Sequence, residues 1–165
     1  MTQSIPLPTQ AELQSLFDYS VITGELRWRR TYNNVYNGRV AGTVLTNGYR
    51  YVTLNEKRRL THRIIWKLVT GTEPRVIDHA DLDRTNNAWH NLREGTQADN
   101  KANAGQHRDS TSPYKGVYLH GCRWISKLMR DGKRHHLGVF DTPEQARDAY
   151  NAASARLSGE FHRAA

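Results

Sequence analysis

Asp78 and His79 stand side by side at the end of the stretch VIDH, and amide side chains follow at Asn91 and Asn100. Hydrolysing a phosphodiester requires an activated water, stabilisation of charge on the phosphate and help for the leaving oxygen. A neutral histidine can act as general base near pH 7, and a hard divalent cation held by oxygen ligands meets the other two needs. Adjacent side chains on a strand point to opposite faces, so Asp78 is expected to turn to a metal while His79 faces a water. Asn91 could accept from the imidazole N–H and fix its tautomer, or hold the loop in shape. Asn100 could offer its carbonyl oxygen to the same cation as Asp78. Oxygen-only ligation favours Mg²⁺ or Mn²⁺ over zinc. An EF-hand reading of Asp81, Asp83 and Thr85 fails, because Asn86 stands where glycine is required and Leu92 where the bidentate glutamate belongs. A polar turn without chemistry is the plain alternative, since Asp and Asn favour such conformations anyway.

The elements that must position these residues are legible in part. Thr9 and Glu12 have capping-box spacing ahead of Leu13, Leu16 and Phe17, which predicts a helix over residues 9–17. Residues 25–28, 39–45 and 49–54 read as short strands, the last two joined by an Asn47-Gly48 hairpin. Ile64, Ile65, Leu68 and Val69 share one face of a helix that Gly71 ends. Residues 76–79 then read as a strand, 80–89 as an Asp- and Asn-rich loop, and 92–96 as a returning strand. Thr96 and Asp99 mark a helix start and Gly105 a stop, which places Asn100 and Asn103 on a helix of about eight residues. The stretch AGQHRDSTS, residues 104–112, is small and polar without periodicity and reads as a linker. Beyond it, residues 114–119, 123–130 and 133–140 read as three strands, and Thr142-Pro143-Glu144-Gln145 opens a helix that runs to about Leu157.

The 165 residues hold 24 Lys+Arg against 16 Asp+Glu, a formal charge of +8 that points first to a polyanionic partner, nucleic acid above all. The one cysteine, Cys122, excludes an internal disulfide and a Cys-rich zinc ribbon, and fits a reducing compartment. No run approaches the ~18 apolar residues of a membrane span, and the opening MTQSIPLPTQ lacks a basic segment followed by an apolar core. A cytoplasmic protein without a membrane partner is expected.

Asp78-His79, Asn91-Leu92 twelve residues after the histidine, Asn100 nine residues further and the intervening DRTNN resemble the HNH family of homing-type endonucleases with the ββα-metal fold. The resemblance extends back through GELRW, NGYRYVTL and Thr61-His62-Arg63, a lead-in common in phage-borne members, and covers nearly all of residues 10–104. It implies His79 as general base, Asp78 and Asn100 as metal ligands and Asn91 as the orienting residue. The third family position is often histidine; Asn100 matches the HNN-type members. His62 is expected to be a cap or packing residue, and Arg63 to touch a phosphate.

The region 114–140 carries six Lys/Arg against the single acid Asp131, and a two-residue period turns Trp124, Ser126 and Leu128 inward and Lys127 and Met129 outward. YKGVYL, the Trp124 strand, HLGVFDTPEQARDAYNAA and SGEF are similar to the AP2 DNA-binding domain across residues 112–161. That resemblance implies a three-stranded antiparallel sheet backed by a helix, with Lys115, Tyr118, His120, Lys127, Arg134 and His136 facing the major groove. Met129 stands at a usual arginine, so the base sequence read by the plant regulators does not transfer.

The expected fold class is α+β: an HNH module with N-terminal antiparallel strands over 1–104, a linker over 105–112 and an AP2-like domain over 113–165. The expected function is Mg²⁺- or Mn²⁺-dependent nicking or cleavage of double-stranded DNA by a monomer. The rival is a non-catalytic DNA-binding regulator that keeps the nuclease shape. An RNA-directed nuclease is disfavoured because neither module shows stacked-aromatic RNA-binding signatures.

Overall fold

The computed structural model of the protein describes residues 6–29, 35–103 and 112–161. It divides into two compact units, residues 1–94 and 95–165. The sequence-predicted stop at Gly105 and nearly all of the linker lie outside the described residues.

In the first unit, helix α1 (Gln10–Leu16) opens with the expected capping box between Thr9 and Glu12. Strand β1 (Phe17–Tyr19) follows directly and pairs antiparallel with β2 (Leu26–Trp28). A three-stranded sheet comes next: β3 (Thr43–Val44), β4 (Arg50–Leu54) and β5 (Lys57–Leu60). The expected strand over 39–45 is shorter than its sequence suggests. Val40 makes only an isolated bridge to Arg27, and Gly42 adopts φ +84 where a Cβ would lie 2.2 Å from the Tyr51 carbonyl oxygen. The Asn47-Gly48 turn forms as predicted, with the Asn47 Oδ1 accepting from the Tyr49 N–H at 3.1 Å. Helix α2 (Thr61–Thr70) buries Ile64, Ile65 and Trp66 and ends on left-handed Gly71. Strands β6 (Val76–His79) and β7 (Leu92–Gly95) form a two-stranded sheet across the polar loop. The core that these elements share includes Leu13, Phe17, Leu26, Val52, Ile64 and Ile77.

The second unit takes in helix α3 (Gln97–Asn103), whose start is capped by reciprocal hydrogen bonds between Thr96 and Asp99. Within this unit Asp99 also pairs with Arg130 at 2.5 Å. Strands β8 (Val117–His120), β9 (Arg123–Arg130) and β10 (Lys133–Phe140) form an antiparallel sheet in the order β10-β9-β8. Helix α4 (Pro143–Ser158) packs on it, with the Thr142 hydroxyl accepting from the Gln145 N–H at its start. Leu128, Tyr150 and Ala153 are the centre of this smaller core. The expected strand from Tyr114 begins only at Val117, because Gly116 turns at φ +72 under the Tyr150 ring. The architecture is thus a mixture of small antiparallel sheets and helices. Among the described residues no helix is long and apolar enough to cross a membrane.

Candidate functional site

The Asp78-His79 pair closes β6, and both residues are buried, at 4% and 3% exposure. The alternation of a strand sends them different ways. His79 meets Tyr49 and His62, whose ring centroids lie 6.0 and 5.2 Å from its own. Asp78 meets Arg93 across the β6–β7 ribbon, with its Oδ2 accepting from Nε at 3.1 Å and from Nη2 at 2.9 Å. His79 is covered by side chains, and the Asp78 carboxylate accepts from a guanidinium.

Asn91 takes the second of its two expected roles. Its Oδ1 accepts from the Asp81 N–H at 3.0 Å, and its Nδ2 donates to Asp81 Oδ1 and to the Asn86 carbonyl, both at 2.8 Å. One buried amide therefore ties the two ends of the loop. Asp81 in turn accepts from Asn86 Nδ2 at 2.7 Å and from the Asp83 N–H at 2.8 Å. Burial raises the Asp81 pKa, but the hydrogen bonds from Asn86 and Asn91 outweigh it and leave the carboxyl below its ordinary range.

One polar partner of the imidazole is Asn87, which sequence reasoning passed over: His79 Nε2 lies 3.2 Å from Asn87 Oδ1. The orientation of that amide follows from its other end, where Asn87 Nδ2 donates to the Thr85 carbonyl at 3.1 Å. With the oxygen thus facing the ring, Asn87 is placed to accept from Nε2–H in the tautomer that carries the lone pair on Nδ1. The Asn87 backbone is pinned as well, because its carbonyl accepts from the Tyr19 hydroxyl at 2.8 Å. Burial holds the His79 pKa below its ordinary value, against the opposing pull of Asn87 and of Asp81 and Asp78. The ring is therefore neutral at neutral pH, the state a base requires.

His62, in the first turn of α2, packs as expected and does not cap: the N-cap is Leu60, with no side-chain hydrogen bond. Burial, aided by His79 and Arg63, pushes its pKa down to about 3 from 6.5. A buried neutral His62 disfavours protonation in the folded state alone. Its contribution to stability is complete above pH 6.5 and is lost as pH falls from 6.5 towards 3, at about 1.4 kcal/mol per pH unit. Urea unfolding at pH 7, 6 and 5 is expected to show this loss in the wild type and a shallower one in His62→Phe. Equal pH slopes in the two proteins would contradict the account.

Asn100 is exposed on α3, within the second unit, and its carbonyl is not committed to the Thr96–Asp99 cap. Arg63 is half-buried and donates to the Pro74 carbonyl at 2.8 Å. The donor types, a buried carboxylate and an amide carbonyl, suit a hard cation in kind. Among the described residues no group of three or more His, Cys, Asp or Glu could hold a metal.

On the second unit, the strand register puts Tyr118, His120, Arg123, Ile125, Lys127, Met129, Arg134 and His136 on the sheet face away from α4. Five of the six residues expected at the groove are among them. Lys115 sits in the turn before β8 and lines, with Tyr118, Lys127 and Met129, a groove of about 430 Å³. Arg123, which was not among the residues expected at the groove, lies on the same face opposite His120. The bulge between His136 and Gly138 explains the Leu-Gly-x-Phe pattern: at Gly138, φ is +138 and a Cβ would lie 2.9 Å from the Phe140 ring.

A neutral imidazole and a buried carboxylate thus end one strand, ahead of a loop tied by amide side chains. Residues 59–102 match a family model described as HNH endonuclease, and the matched stretch holds Asp78, His79, Asn91 and Asn100. The match supports a nuclease acting on DNA; β8–β10 and α4 lie beyond its end. No solved structure matches the chain.

Proposed function

We propose that this protein is a homing-type DNA endonuclease that nicks or cleaves double-stranded DNA at chosen sites, working as a monomer in the cytoplasm of a bacterial host. The observation that supports it most is the His79 imidazole, kept neutral by burial and held 3.2 Å from the Asn87 side-chain oxygen. In this reading Nδ1 takes the proton of the water that attacks phosphorus. Asn91 holds the loop, and through it Asn87, in register with the ring.

Nucleases of the HNH type generally use divalent metal ions. In the ββα-metal reading proposed here, Asp78 and Asn100 would be the oxygen donors to a Mg²⁺ or Mn²⁺, which would supply charge stabilisation at the phosphate. The AP2-like sheet lays Tyr118, His120, Lys127, Arg134 and His136 against the major groove, with Lys115 beside them. The two modest affinities combine through the linker.

A second reading, a DNA-binding regulator without catalysis, is favoured by the 3% exposure of His79 and by Arg93 balancing Asp78. Supercoiled plasmid incubated with Mg²⁺ and with EDTA separates the two. Conversion to nicked or linear DNA in the first alone supports the nuclease. Absence of cutting in both, with gel shifts retained, supports the regulator.

A further inference from the structure

A groove of about 760 Å³ opens on the first unit, outside the Asp78-His79 site. Four arginines line it: Arg58 and Arg59 from β5, Arg63 from the first turn of α2, and Arg75 from the connection into β6. The one acid among its described lining residues, Glu73, is already paired with Lys67 at 2.5 Å.

The way these arginines are held distinguishes them from others in the unit. Arg27, Arg29 and Arg93 are bound by the carboxylates of Glu25, Asp18 and Asp78. For Arg63 and Arg58 in the groove the contacts shown are neutral. Arg63 donates to the Pro74 carbonyl at 2.8 Å, Arg59 to the Pro6 carbonyl at 3.2 Å, and the Arg58 guanidinium lies 4.9 Å from the Tyr51 ring centroid. Carbonyls and a ring face restrict the side chains without cancelling their charge. Guanidiniums ordered in this way lose little entropy on meeting a phosphate, whose geometry they match in bidentate fashion.

The position of the groove indicates which phosphates. Arg75 precedes β6, and four residues of extended chain carry it roughly 13 Å from His79. That span is about four nucleotides of rise along B-DNA. Arg63 is the neighbour of His62, whose ring touches that of His79.

We propose that this arginine groove binds the phosphodiester backbone of the DNA strand a few nucleotides away from the bond to be cut. This rests on the nuclease reading for its direction, but its binding can be measured apart from cleavage. Fluorescence anisotropy of the full chain on a labelled duplex, over roughly 50–200 mM salt, reads the number of phosphates neutralised. Arg58→Gln and Arg75→Gln, both at exposed positions, are each expected to reduce the slope of log K against log salt by about one. Lysine at either position is expected to restore most of the slope. Arg29→Gln, at a guanidinium already held by Asp18, is the control and is expected to leave it near wild type. An unchanged slope in the groove variants, or an equal fall in Arg29→Gln, would overturn the proposal, as would equally tight binding of inorganic phosphate. If the wild type binds through these arginines yet never cuts, the groove stands and the nuclease reading falls.

Discussion

Replacing His79 with alanine is expected to lower the cleavage rate by about 10²- to 10⁴-fold while leaving duplex binding within a few-fold of wild type. The magnitude is that of a positioned general base, about 3–5 kcal/mol of transition-state stabilisation. The direction follows from placement: His79 is 3% exposed, so it adds little to the charged surface that meets DNA, and its loss should appear in the chemical step. Burial also means that truncation leaves space beside Tyr49 and His62, so folding must be checked separately. His79→Gln, closer in size, should lose activity to the same extent with a smaller loss of stability. Asn87→Ala tests the orientation argument. Without its Oδ1 the ring can adopt the other tautomer, and a fall in the saturating rate larger than the change in apparent KM is expected. A His79→Ala protein that cuts within about twofold of wild type would remove the imidazole from the mechanism.

What the sequence disclosed, and what it hid, divides along the range of the interactions. Signals carried by a few consecutive residues were readable: the Thr9–Glu12 box, the Asn47-Gly48 hairpin, Gly71 ending α2, and Thr142-Pro143 opening α4. The inward and outward faces of β9 followed from period two, with Ser126 and Leu128 buried and Met129 exposed. Strand β5 was invisible because Lys57, Arg58 and Arg59 are poor strand formers, and because its turn places Asn55 and Glu56 at φ 49 and 62 without a glycine to announce it. The partners of the candidate site were hidden for a different reason. Arg93 reaches Asp78 because β7 returns beside β6, and His62 reaches His79 only once α2 has packed. Asn87 stands eight residues beyond His79, and the hydrogen bonds of the loop decide that it, and not Asn91, meets the ring. The residue types of the site were therefore legible, whereas their assignment to one another depended on the pairing of two strands.

Replacing Arg93 with leucine is expected to destabilise the protein by about 3–5 kcal/mol, read as a lower urea midpoint at constant m. The Asp78 side chain is 4% exposed and that of Arg93 17%, so removing the guanidinium leaves a carboxylate that water cannot readily solvate. The cost belongs to the stranded charge more than to the lost pair. Asp78→Asn in the same background should accordingly recover much of it, as a non-additive double-mutant cycle. The same variant tests the metal reading without any assay of cutting. If Asp78 is a ligand, Mg²⁺ can balance the carboxylate that Arg93 has abandoned, and the ion should raise the stability of Arg93→Leu more than that of the wild type. Arg93 and the ion would then be alternative counter-charges for one carboxylate, with Arg93 holding the fold together until a cation arrives. A loss below about 1 kcal/mol would show that solvent reaches Asp78 unaided. Equal Mg²⁺ stabilisation of both proteins would show that the cation is held elsewhere.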